Sequence, residues 1–484
     1  QGRGAKLREL HLCKEINSMI TRGLAFGVAA SLAAFGQTPT SVTTLSDQKD
    51  VAVTAYNNGL ALVRDTRAIK LPAGESLLQF EDVAQQIRPE TVGLKSTSNP
   101  GTVSILEQNY EYDLISPNKL LEKYVGKTVK LQNFNSEITS GVVEAELLSM
   151  NEGPVYKVDN EIFLGYPGNV VLPEIPENLI SKPSLIWTLN NAAGDQTLEV
   201  TYLTNGVSWS ADYVITLAKE ETSLGVAGWV TMNNQSGATF TNAQLKLVAG
   251  EVNIAQPEAM PTREMAYAKV AMAPPMPQQE AFAEYHLYTM PRRTTIKQNQ
   301  SKQLALLAGE NVACGKKYEY RGQEFFYSQQ MPPTGEEHVG VFLEFRNEEK
   351  NGLGIPLPAG VMRVYQEDSE GMLQFAGEDR IKHTPKDENV RLRLGEAFDI
   401  IGERVQTDFK VIANNVHESA FEITLRNHKT TDITVDVVEP MPGDWRVLEK
   451  SHEFVKKDAR TAIYSVAVPK DGEVKVTYRV QVKY

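Results

Sequence analysis

Cysteine is almost missing from this chain: its 484 residues hold two, Cys13 and Cys314. If the first leaves with a leader segment, as argued below, no internal disulfide can form. A chain of this size must then rest on apolar packing. Positive charge is also short, with 49 Lys and Arg against 61 Asp and Glu and a formal net charge of -12. That balance excludes the basic footprint by which nucleic-acid-binding proteins neutralise phosphates. Long apolar runs are wanting too. The uncharged stretch 23–36 falls short of the ~20 residues that a spanning helix needs. Nor does the chain contain a glycine-rich phosphate loop, a nucleophile elbow or a dinucleotide fingerprint. What it has is an ordinary globular composition, 41% hydrophobic and 23% charged, with 34 Gly and 24 Pro for turns. The length suggests about three domains.

Residues 1–36 read as upstream residues plus an export signal. Met19-Ile20-Thr21-Arg22 opens with a charge, 23–36 is apolar and made of small residues, and Ala34-Phe35-Gly36 has the small-x-small form of a cleavage site. Beyond it the pattern is β throughout. Val51, Val53 and Ala55 alternate, Asn57-Asn58-Gly59 turns, and a second run follows from Leu60, which is a hairpin signal. Residues 47–116 form an N-terminal β domain that continues at 178–254. Between them, 117–177 holds four or five short strands behind Leu120-Leu121-Glu122-Lys123-Tyr124, and it is expected to be a small SH3-like barrel insertion. Residues 255–300 are rich in Pro, Met and Ala and are expected to be a flexible loop, whose Met260, Met265, Met272 and Met276 lack a regular ligand spacing. A central β region occupies 301–394. The last block, 395–484, alternates most cleanly, with Phe421, Ile423 and Leu425 on one face and Val474, Val476, Tyr478, Val480 and Val482 on another. It is expected to be an Ig-like sandwich. The fold class is therefore all-β, with tandem β-sandwich domains.

The most informative stretch is 197–254, four alternating runs separated by turn clusters. Leu198, Val200 and Tyr202 share a face, as do Trp209, Ala211, Tyr213, Ile215 and Leu217, and later Leu245, Leu247 and Ala249. Asn205-Gly206 is read as a hairpin turn, and Trp209 and Trp229 are expected to fill a core between sheets. The run Gly206-Val207-Ser208-Trp209-Ser210-Ala211-Asp212-Tyr213 resembles the turn and strand of a bacterial envelope family carrying domain of unknown function 4139, which includes the mucoidy inhibitor A homologues. Asn233-Asn234-Gln235-Ser236-Gly237, Leu357-Pro358-Ala359-Gly360-Val361 and Gly377-Glu378-Asp379-Arg380-Ile381 carry the likeness onward to Tyr484. The chain departs from the longer members in lacking an N-terminal heptad coiled coil, and Phe240 stands where they often have tryptophan. The resemblance implies an envelope setting and a β fold. It brings no catalytic residue.

The residues themselves point to no chemistry. His417-Glu418-Ser419-Ala420-Phe421 begins like a zinc-protease motif, but Phe421 replaces the second histidine and the alternation around it is that of a strand. His286, His338, His383, His428 and His452 are far apart, and Ser116-Pro117-Asn118-Lys119 sits in a turn without the companion motifs of acyl transfer. Cys314 reads as a small apolar residue near a turn. No catalytic, cofactor-binding or metal-binding residue is assigned, and no cofactor is implied. Three functions compete. The first is an exported, non-enzymatic binding or scaffolding protein, periplasmic or on the cell surface, whose partner is an envelope protein or polysaccharide. The second is a hydrolase acting on an envelope polymer. The third is an outer-membrane barrel, suggested by the last strand's alternation and its terminal Tyr484. In the first reading the chain is not integral to the membrane after signal cleavage. Binding loops are sought at 204–210 and 233–239.

Overall fold

The computed structural model describes residues 39–132, 141–165, 168–176, 179–250, 252, 278–282 and 285–484. The expected leader and, from the expected 255–300 loop, Met260, Met265, Met272 and Met276 lie outside them. The described chain is all-β, in four mostly antiparallel sheets of 4, 5, 8 and 13 strands. Its one α-helix described is Pro117–Lys123.

The stretch 197–254 is built differently from a pair of hairpins. Gln196–Asn205 pairs with Leu60–Ile69 in the 8-stranded sheet, whereas Val207–Leu217 pairs with Ser223–Asn234 in the 13-stranded sheet. Phe240–Ala249 then returns to the first sheet beside Gln48–Tyr56. Asn205-Gly206 is therefore a crossing between two sheets. Gly206 makes it at a φ of 82°, and a Cβ there would lie 2.9 Å from the backbone of Gln235 and Ser236. The Gly206 N–H donates to Gly59 O at 3.0 Å and its carbonyl accepts from Gln235 N at 2.6 Å. Only glycine combines that dihedral with that closeness.

The apolar rows on either side of the crossing face each other. Val200 and Tyr202 from one sheet share a single core with Trp209, Ala211, Tyr213 and Ile215 from the other, and Phe80 and Trp187 of the 4-stranded sheet belong to it too. Trp209 is in this core, but Trp229 is half-buried on the opposite face of its strand, beside Asp212. The period-2 pattern requires this, since Val230 and not Trp229 shares the inward parity.

A second core gathers Tyr327, Phe421, Ile423, Leu425, Val435, Val437, Tyr464 and Tyr478. Three strands run through both cores. Gln300–Arg321 buries Leu306, Leu307 and Val312 in the first and Tyr318 and Tyr320 in the second. Glu336–Arg346 places Leu343 and Phe345 in the first and Val339 in the second. Asn389–Ala413, 25 residues long, gives Val390 and Leu392 to the first and Ala397 and Ile400 to the second.

The insertion between residues 117 and 177 corrects the expected SH3-like barrel. It is an open five-stranded sheet in the order Glu161–Leu164, Val155–Val158, Val142–Ser149, Thr128–Gln132, Asn169–Val171, and no described sheet closes on itself. Closure needs inward side chains from every strand round the ring. Here Val129, Leu131, Ala145, Leu147 and Tyr156 bury one face against Tyr124, while Glu161–Leu164 buries nothing. The outer-membrane barrel is overturned on the same ground. The alternating row of the last strand, Val476, Tyr478, Val480 and Val482, lies in the second core and not on an outer face.

Four buried asparagines close strand ends. Asn191, Asn234, Asn347 and Asn427 are each at most 1% exposed. Asn427 Nδ2 donates to the carbonyls of Thr431, Val468 and Pro469 at 2.9 to 3.3 Å, and its Oδ1 accepts from Lys429 N at 3.0 Å. Asn234 does the same with Ala238 O, Ile296 O and Ser236 N, and Asn347 with Ile355 O, Pro385 O and Gly354 N. Asn191 Nδ2 reaches Leu71 O, Pro72 O and Gly194 O. Where a ladder stops inside the molecule, its neighbouring loops lose partners. A primary amide supplies donors and an acceptor together.

Candidate functional site

The three strands that cross both cores leave a small cavity at the waist, about 150 Å³, lined by Leu217, Lys316, Val341, Gln366, Leu394 and Glu396 among others. Its polar lining is Lys316, Gln366 and Glu396, and behind Lys316 a set of polar groups is gathered from separate elements. The turn after Val207–Leu217 holds Glu221 at a φ of 59°, a left-handed position stabilised by its N–H donating to Ala218 O at 2.9 Å. That turn aims the carboxylate at Gln300–Arg321, where Lys316 Nζ donates to Oε1, and Gln366 Nε2 donates to the same oxygen at 3.2 Å. The Cys314 thiol points to Glu221 O at 3.6 Å. On the second-core side, Lys429 Nζ donates to the Tyr318 hydroxyl at 3.0 Å and lies 5.4 Å from its ring centre. Arg393 and Glu396 form an exposed ion pair of 3.2 Å at the rim.

The electrostatics of the groups behind this lining are those of a locked set. Burial alone would raise the Glu221 carboxyl, but the hydrogen bond and charge of Lys316, helped by Gln366 and Lys429, leave it below its usual value. Burial opposes charge on Lys429, yet the Tyr318 hydroxyl and the charges of Glu221 and Asp399 raise its ammonium. Burial and the Glu221 charge together push the Cys314 thiol up, against Lys316. A carboxylate held ionised, an ammonium held protonated and a thiol held neutral supply no base or nucleophile poised near neutrality. The cavity can accept or donate hydrogen bonds and exchange an ion-pair partner.

A second polar cluster lies deep in the C-terminal core. Arg404 and Glu439, 3% and 0% exposed at the side chain, approach to 2.7 Å. Tyr327 donates to Glu439 Oε2 at 2.6 Å and meets the Tyr478 hydroxyl at 3.0 Å. The guanidinium lies within 6 Å of the ring centres of Tyr320, Phe326 and Phe421. Burial would lower the Arg404 pKa, but Glu439 and the surrounding phenols raise it. Burial and the Glu439 charge hold Tyr327 and Tyr478 well above their usual value. Gly322 packs its backbone so closely on this pair that a Cβ would collide with Glu439 Oε2 and crowd Arg404. The cluster is sealed and presents no surface to a ligand.

The histidines weighed in the sequence are not brought together. His417 stands on the strand Val416–Asn427, with its ring between Phe409 and Tyr484. His338 stacks on Phe398, and His383 Nδ1 accepts from Ala359 N at 3.1 Å. Among the described residues no group of three or more His, Cys, Asp or Glu is placed to hold a metal ion. Ser116 is the cap of the helix Pro117–Lys123, its hydroxyl accepting from Lys119 N at 3.2 Å. The loops 204–210 and 233–239 are tied to one another where Gln235 N donates to Gly206 O, and Ser236 is fully buried, its hydroxyl donating to Asn234 Oδ1. Glu221, Lys316 and Gln366 escape sequence reading because they lie up to 145 residues apart. A run of Lys-Glu-Glu after an apolar strand looks like any solvated turn.

Residues 198–484 match a family model described as domain of unknown function (DUF4139). A search of curated proteins finds no match to the chain.

Proposed function

The chain belongs to the DUF4139 family, and from that membership we propose that it is an exported, non-enzymatic β protein that binds or scaffolds a protein or polysaccharide of the bacterial envelope. The carrying observation is the waist cavity, whose lining Lys316 and Gln366 are both spent on Glu221 behind them and whose Glu396 pairs with Arg393, with Tyr318 on Lys429 and a neutral thiol at Cys314 in the next layer. Such a wall suits recognition of polar groups better than proton transfer. The export signal read in residues 1–36 and the family likeness support an envelope location. Cell fractionation with an antibody against the native protein should find it outside the cytoplasm, and affinity capture from envelope extracts should return a defined partner. Turnover of a defined envelope polymer by the purified protein, abolished by Glu221→Gln, would instead make it a hydrolase.

A further inference from the structure

We propose that a second copy of this chain adds its own Glu161–Leu164 strand to the same strand here, antiparallel, about a two-fold axis through Phe163. Among the described residues this strand is an edge of the insertion's sheet, paired on one side only, with Val155–Val158. It is also strongly apolar and exposed: Ile162 is 64%, Phe163 43% and Leu164 85% accessible.

The phase of its backbone decides the register. Gly165 N donates to Pro154 O at 2.9 Å, and Phe163 stands opposite Tyr156. Hydrogen-bonded positions alternate in an antiparallel pair, so Glu161, Phe163 and Gly165 bond inward. The N–H and C=O of Ile162 and Leu164 therefore face the open edge. A dyad through Phe163 sets Ile162 opposite Leu164 of the other copy and Leu164 opposite its Ile162. Each of those pairs has its free backbone groups aimed across the gap.

The side chains fit the same register. Ile162 and Leu164 emerge on one face and form two cross-strand apolar contacts. The two copies of Phe163 meet on the other face at a position without hydrogen bonds, where side chains approach closest. Glu161 falls opposite glycine, so no like charges meet. The longer sheet edges are defended in the usual way. Val103–Glu111 carries Glu107 and Glu111, Leu373–Ile381 carries Glu378, Asp379 and Arg380, and Asp444–Lys450 carries Asp444, Arg446, Glu449 and Lys450. The interior of Glu161–Leu164 bears no charge.

The pairing is independent of the envelope reading, and its test needs no ligand. An interface built on one short strand is small, so sedimentation of the full chain should show a reversible dimer with Kd of about 1 to 100 µM. Leu164→Lys, at an exposed position, should weaken it by about tenfold or more with an unchanged circular dichroism spectrum. In a Cys13→Ser, Cys314→Ala background, Phe163→Cys should cross-link with itself on mild oxidation, because the dyad sets the two Cα atoms about 4.5 Å apart. Ile162→Cys and Leu164→Cys, tested singly, should cross-link far less. A chain that stays monomeric through this range, a dimer indifferent to Leu164→Lys, or equal cross-linking at all three positions overturns the proposal. So do open polymers, which would mean that this edge meets the opposite edge, Asn169–Val171, of the next copy.

Discussion

Asn427 spends every hydrogen-bonding atom of its amide inside the protein, and its neighbours depend on both halves of that amide. Asn427→Asp keeps the shape but turns a donor into an acceptor facing three carbonyls. It should cost more than about 3 kcal/mol, because a buried charge would be left against unpaired acceptors. Urea unfolding followed by fluorescence measures this, and a loss below 1 kcal/mol would show the loops rearranging around the change. Glu221 gives a pH-dependent counterpart. Its folded carboxyl lies below the usual value, so its contribution to stability is complete above the unfolded pKa and fades as pH falls through the lower, folded one. Glu221→Gln should therefore be less stable than the native chain at neutral pH, and the two should converge on the acid side. A difference that persists unchanged into acid would remove Lys316 pairing as the cause. At this scale the sequence revealed inward and outward parity and little else. An asparagine in Asn-Gln-Ser-Gly looks like turn chemistry, and nothing local announces that Asn234 will hold the carbonyl of Ile296, 62 residues on.

Element by element, the strands of 197–254 are where their alternation puts them, and their partners are not. Asn-Gly is a strong hairpin signal because both residues tolerate positive φ. Here the same tolerance lets the chain step from one sheet to the next. Two neighbouring glycines separate the effects. Gly59, at a φ of 79°, has nothing within 4 Å of where a Cβ would lie, whereas at Gly206 a Cβ would lie 2.9 Å from the Gln235 backbone. Gly59→Ala should cost about 1 kcal/mol for its dihedral alone, while Gly206→Ala should cost at least twice that, since backbone cannot swing aside as a side-chain tip can. Equal shifts in thermal midpoint would refute the close approach. The insertion shows the complementary limit of sequence reading. Short alternating strands announce a small sheet, but whether it closes depends on its end strands, and Glu161–Leu164 has apolar residues on both faces, so parity says nothing about an inside.

On the scale of the whole molecule, the insertion is detachable and the two cores are not. Val103–Glu111 and Ser184–Asn191 pair directly, with Glu111 opposite Ser184, so the chain leaves and re-enters the main body at adjacent points. Replacing residues 112–183 by a two-residue Asn-Gly turn should leave a folded protein with the main thermal transition within a few degrees of the native one, while removing the apolar edge and any self-association. Calorimetry and sedimentation would show it, and loss of the main transition would mean that the small core of Tyr124, Val129 and Leu147 supports the larger ones. Composition and pattern made an all-β chain with an inserted block legible. They could not show that the central and C-terminal residues share strands, because a long strand and two short ones in series have the same alternation.

Those shared strands determine how the molecule meets force. Gln300–Arg321, Glu336–Arg346 and Asn389–Ala413 lie side by side and pass from one core to the other. Tension applied along them loads their ladders in shear, many hydrogen bonds at once, and offers no seam that can be peeled one bond at a time. Pulled along these strands, the described residues offer no weak hinge at the waist, and the two cores should yield in a single event.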